Sequence, residues 1–152
     1  LRADSGPSGG NGGSITIEAQ EGSITVGDPS ELTVKTGEIS TNARGEGNAG
    51  QIHISASNGN VSVFGMIQAN AEIGNAGVIE IDPIDIHLAG VEASTSKSGD
   101  GGNVILTNFF GLPVDNIFVT GSIKARGGQL HGKGGFVHLK ANEKIMVLGS
   151  ID

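Results

Sequence analysis

The sequence predicts an all-β fold, a right-handed parallel β-helix (β-solenoid) of about five three-stranded coils. Three observations predict it. The tetrapeptide Gly-Asn-Ala-Gly occurs at 47–50 and again at 74–77, each time before an alternating apolar stretch. Five such stretches recur along the chain at spacings of 37, 27, 25 and 33 residues. Gly makes up 27 of 152 residues, while Tyr and Trp are absent and Phe numbers five, so any core is aliphatic. A repeat at this period is the mark of stacked supersecondary units.

The first strand of each unit follows a glycine: "SITIEA" after Gly13, "QIHISA" after Gly50, "VIEIDP" after Gly77, "NVILTN" after Gly102 and "FVHLKA" after Gly135. One column holds Ile15, Ile52, Ile79, Val104 and Val137, and the other Ile17, Ile54, Ile81, Leu106 and Leu139. Period-2 alternation sends both columns to the same face. The residue between them varies freely (Thr16, His53, Glu80, Ile105, His138), as an outward position does.

The second strand gives the columns Ile24, Val61, Ile86, Ile117, Ile145 and Val26, Val63, Leu88, Val119, Val147. The third follows another glycine, with Ile39, Ile67, Val91, Ile123, Ile151 and then Thr41, Ala69, Ala93, Ala125. Leu1 and Ala3 fit the third strand of a preceding unit, so the chain reads as one β-helix segment, 1–152, of a longer repetitive protein. A polar loop rich in Gly, Asn and Ser then leads to the next unit. Glycine suits such corners through positive φ or close backbone approach. Propeller blades need about 40–45 residues and four strands; these units are shorter. Equivalent strands stacked about 4.8 Å apart fit better. Irregular coil length and the lack of a hexapeptide period favour the right-handed, three-faced form. Asn48 and Asn75 then fall on one another and form a side-chain ladder, with Asn11 or Asn103 as looser members. Insertions lie at 28–37, where Leu32 and Val34 suggest an extra strand, and at 109–116.

Net charge is −7. An acidic chain poor in aromatics is unsuited to nucleic acid, because phosphate binding needs Lys and Arg. No stretch approaches 18 apolar residues, so no membrane insertion is expected. Without Cys, disulfides and thiolate metal sites are excluded.

The stretches "GNGGSITIEAQ-GSITV", "ISTNARGEGNAGQIHISA-NGNVSVFG-IQA" and "GDGGNVILT" resemble filamentous haemagglutinin-type exoproteins of two-partner secretion, in the degenerate versions common in Gram-negative bacteria and especially cyanobacteria. The likeness covers essentially the whole chain. It implies export through an outer-membrane transporter partner, folding outside the cell, and a long fibre at the cell surface or in the medium. Adhesion, contact inhibition and matrix building are the functions it implies. The family's secretion-targeting domain carries an NPNG-type turn, which does not occur here, so the resemblance puts this stretch in the shaft.

Two other readings stand beside the structural shaft. Polysaccharide lyases and hydrolases share the fold, and Glu80, Asp82 and Asp85 in "IEIDPID" form the densest acidic stretch, fit for Ca²⁺ or for acid–base work. No Arg or Lys lies near them, and a solvated face with a Pro-bent turn is the simpler reading. "SGDGGNVIL" is only a distant match to a calcium-binding nonapeptide. His53 and His138 point outward about 14 Å apart, too far to share a metal; His87 and His131 lie elsewhere, and Thr does not recur in ice-binding ranks. No cofactor is expected and no catalytic residue is assigned. The third reading is a self-assembling filament subunit, since strand edges at both ends can pair. Lys124, Arg126 and Lys133 are the candidate contacts for surface glycans, acidic ones above all, with a solvated loop the simpler reading. Phe109 and Phe110 are candidate contacts for a glycan or a second copy, with capping of the coil interior or packing under their own loop as alternatives, the last preferred.

Overall fold

The computed structural model describes residues 1–30, 37–107 and 114–152. Leu32, Val34, Phe109 and Phe110 lie outside the described residues.

Every regular element among the described residues is a β-strand, and the strands pair in parallel. The first sheet stacks β1 (Ser14–Ala19), β4 (Gln51–Ala56), β7 (Val78–Asp82), β10 (Asn103–Leu106) and β13 (Phe136–Leu139), in that order. Its register aligns Ile15 with Ile52, Ile79, Val104 and Val137, and Ile17 with Ile54, Ile81, Leu106 and Leu139. The second sheet stacks β2 (Ile24–Val26), β5 (Val61–Gln68), β8 (Asp85–Glu92), β11 (Asn116–Val119) and β14 (Lys144–Val147). Here Ile24, Val61, Ile86, Ile117 and Ile145 align. Two short strands, β3 (Ile39–Ser40) and β12 (Ile123–Lys124), extend the same sheet along β5 and β8. The chain is therefore a parallel β-helix, each coil held by the coils above and below.

Two features depart from three strands separated by turns. In the second and third coils, the second and third strands run on as the single strands β5 and β8. The glycine corner becomes a register shift between Val63 and Met66. Met66 lies over Gly90, where a Cβ would stand 2.8 Å from the Met66 sulfur, so the missing side chain leaves room for the shift. The polar loop also holds regular structure: β6 (Ala71–Ile73) pairs with β9 (Thr95–Ser98), and bridges join Ala43 to Ala71 and Ser98 to His131. These loops stack into a narrow fin along the rod.

The inward columns form one continuous aliphatic core. Ile54, Ile67, Ile79, Ile81, Ile86 and Ile123 are fully buried. Burial falls off at the two ends, where Ile15, Ile17, Val137 and Leu139 are only partly covered.

From β4 onward, the glycine before each first strand is required by close approach. A Cβ on Gly50, Gly77, Gly102 or Gly135 would stand 1.7, 1.9, 1.9 and 1.9 Å from the carbonyl oxygen of the equivalent glycine one coil earlier. Those carbonyls accept the N–H of the residue after the glycine, for example Val78 to Gly50 at 3.2 Å. The glycine N–H closes the neck of the fin: Gly50 donates to Thr41 O and Gly77 to Ala69 O, each at 2.9 Å.

Candidate functional site

The fin leaves the helix at residue 42 and its stacked equivalents and returns at residue 48 and its equivalents. At both necks, one backbone N–H per coil has no backbone partner, and a side-chain oxygen of the previous coil accepts it. On the returning side, Asn48 N–H donates to Asn11 Oδ1 (2.9 Å), Asn75 N–H to Asn48 Oδ1 (2.8 Å), Asp100 N–H to Asn75 Oδ1 (3.0 Å) and Lys133 N–H to Asp100 Oδ1 (2.8 Å). Asn11 is thus a full rung. Asn103 is not: it opens β10, one residue past the glycine, whereas the rungs sit two residues before it. Asp100 holds the rung in that coil.

The leaving side carries a second ladder that sequence reasoning missed. Asn42 N–H donates to Asp4 Oδ1 (2.6 Å), Asn70 N–H to Asn42 Oδ1 (2.8 Å), Ser94 N–H to Asn70 Oδ1 (2.8 Å) and Arg126 N–H to Ser94 Oγ (3.2 Å). Its signal was present: Asp4, Asn42, Asn70 and Ser94 each follow the inward Ala or Thr column by one residue and each carries a short side-chain oxygen.

This second ladder floors a groove of about 450 Å³. One wall is the outward edge of the third-strand region, with Gln68 and Glu92; the other is the fin, with Glu72, Ser96 and Gln129. No aromatic residue lines it. Glu72 is fixed from two sides, by an ion pair to Lys97 and by the Gly45 N–H at 3.1 Å. The Lys97 contact first, then that N–H, holds its carboxyl below the ordinary glutamate range.

The sequence-predicted basic contacts do not form one patch. Arg126 lines the end of the groove and pairs with Asp152 at 2.5 Å. Asp152 is held below the usual carboxylate range, first by the Ser150 hydroxyl, then by Arg126, with Lys124 adding attraction. Arg126 is thus engaged by Asp152, while Lys124 lies in register with Glu92 of β8. Lys133 stands on the returning neck of the fin as the last rung of the other ladder. Five of the nine Lys and Arg, against three of the sixteen Asp and Glu, follow residue 100, so the groove's central stretch lies in the acidic part of the chain.

The acidic trio separates. Glu80 faces outward, its Oε2 3.6 Å from His53 Nδ1. Asp82 is buried at the corner before Pro83. Asp85 Oδ1 accepts both the backbone and side-chain N–H of Asn116 at 3.0 Å. Of the other histidines, His87 meets Phe118 edge-on and His138 stacks on Phe136. Among the described residues, no group of three or more His, Asp or Glu is placed to hold a metal ion, and no helix is long and apolar enough to cross a membrane.

A scan against protein-family models and searches of curated proteins and of solved structures match the chain to nothing.

Proposed function

We propose that this chain is a structural shaft segment of a secreted or cell-surface fibre of filamentous haemagglutinin type, exported through an outer-membrane transporter partner. One observation carries the reading. The aliphatic columns, the strand-leading glycines and both side-chain ladders run through the coils in a single register, so what recurs from coil to coil is what stacking requires. Each coil is stabilised by burial against its neighbours and by backbone bonds parallel to the rod axis. Such an arrangement resists bending and gives length, which a fibre needs. The resemblance of the repeat stretches supplies the extracellular setting.

Antibodies raised against this segment test it. They are expected to label intact, unpermeabilised cells of the source organism or to detect the parent protein in the medium. Labelling that appears only after permeabilisation overturns the reading.

A further inference from the structure

We propose that the groove beside the fin binds a linear, neutral, β-1,4-linked polysaccharide lying along the rod axis. This adds a ligand to the fibre reading and rests on it only for its setting.

The direction comes from the floor. Asp4, Asn42, Asn70, Ser94 and Arg126 are stacked coil by coil, and the four from Asn42 to Arg126 that line the groove span about 14 Å at one strand spacing per step. That suits a short run of sugars on an extended chain, whose rise per ring is close to the coil spacing. A globular ligand would not use a floor of this shape.

The chemistry comes from what the ladder leaves over. Asn42 and Asn70 each commit Oδ1 to the next coil's N–H, which fixes both carboxamides and leaves both Nδ2 groups as donors. Gln68, Glu92 and Gln129 line the groove, and among the described residues none of these side chains makes a hydrogen bond or ion pair. Donors and acceptors for ring hydroxyls are thus both present along the trough, beside the small apolar side chains of Ala43 and Ala71. Without an aromatic or deep apolar lining, neither ring stacking nor a peptide side chain has a seat.

Charge selects among glycans. Lys97 neutralises Glu72, and Asp152 neutralises Arg126. Lys124 stands in register with Glu92 on the neighbouring strand, so every cation at the groove has a carboxylate beside it: Glu92 serves as an acceptor for hydroxyls, and a uronate meets no unmatched positive charge.

The test is calorimetric titration of the segment with cellohexaose, xylohexaose and β-1,4-mannohexaose, and with the β-1,4-mannuronate hexamer, which differs from the mannan only in its carboxylates. Saturable binding of at least one neutral hexamer is expected, with mannuronate weaker. The double variant Gln68→Ala/Glu92→Ala, checked for unchanged melting, should lose at least about tenfold in affinity. Ser62→Ala, on the outward face of β5, should change nothing. No saturable neutral binding at millimolar concentration, mannuronate bound as well as mannohexaose, or unchanged affinity in the double variant each overturns the proposal. Shortened products would overturn a purely binding role. None of these results bears on where the fibre is displayed, so failure here leaves the shaft reading standing.

Discussion

The carboxamide oxygen of Asn48 accepts the backbone N–H of Asn75 at 2.8 Å, across 27 residues of chain. The repeated Gly-Asn-Ala-Gly is explained by that bond. The asparagine supplies the acceptor that the backbone lacks at the returning neck, and the glycine two residues later admits the carbonyl of the coil before. Replacing Asn48 with Ala strands the Asn75 N–H and is expected to cost about 1 kcal/mol. Asn48→Asp keeps an acceptor and should cost less. Urea denaturation of the two variants distinguishes the ladder bond from a mere preference for asparagine in turns.

Gly77→Ala places a Cβ 1.9 Å from Gly50 O and 3.0 Å from the Ala69 Cβ. Backbone must move on both sides, so a loss of about 3 kcal/mol or more is expected. Gly6, with nothing within 4 Å of its would-be Cβ, is the matched control: Gly6→Ala should melt like the parent.

Ile54 is fully buried between Ile17 and Ile81 in the first sheet. Ile54→Ala is expected to destabilise by about 2–5 kcal/mol, and Ile54→Asp to abolish folding, since an unpaired charge would sit in the core. An Ile54→Asp protein with native far-ultraviolet dichroism and unchanged melting would refute the inward assignment.

Thr41 sits in the inward column otherwise filled by Ala69, Ala93 and Ala125, and its hydroxyl is buried without a hydrogen-bond partner among the described residues. Thr41→Val keeps the shape and removes the unmet polar group. It should raise stability by about 1 kcal/mol, measured as an upward shift of the denaturation midpoint.

Glu72 gives a pH signature. Its carboxyl is held below the ordinary glutamate range by Lys97 and the Gly45 N–H, so its contribution to stability is fully present above the unfolded value (about 4.3). That contribution is lost as pH falls through the lower folded value. Melting temperature followed from neutral to acid pH should fall more steeply in the parent than in Glu72→Gln across that window. Parallel curves would show that the pair contributes nothing.

The inward columns were legible because burial enforces them. A strand with one buried face must alternate, and the alternation lets Ile15, Ile52, Ile79, Val104 and Val137 be aligned without a structure. The fin was not legible for the converse reason. Glu72, Ile73, Lys97 and Ser98 bury no common face, and β6 and β9 are held by backbone bonds and stacking, which leave no periodic trace in composition. The continuous strands β5 and β8 were hidden by Gly65 and Gly90, residues that signal a corner and equally permit a bulge. Asn103 was drawn toward the ladder by its residue type. The criterion the fold applies is a side-chain oxygen two positions before the glycine, which Asp100 meets and Asn103 does not.

Coils that touch only the coils beside them make the rod a ruler. Deleting or duplicating one unit between strand-leading glycines changes the molecule's reach by a single graduation, about 4.8 Å, and leaves the remaining marks in register. Reach can therefore be adjusted by recombination between repeats, one notch at a time, without the sequence having to solve a new packing problem.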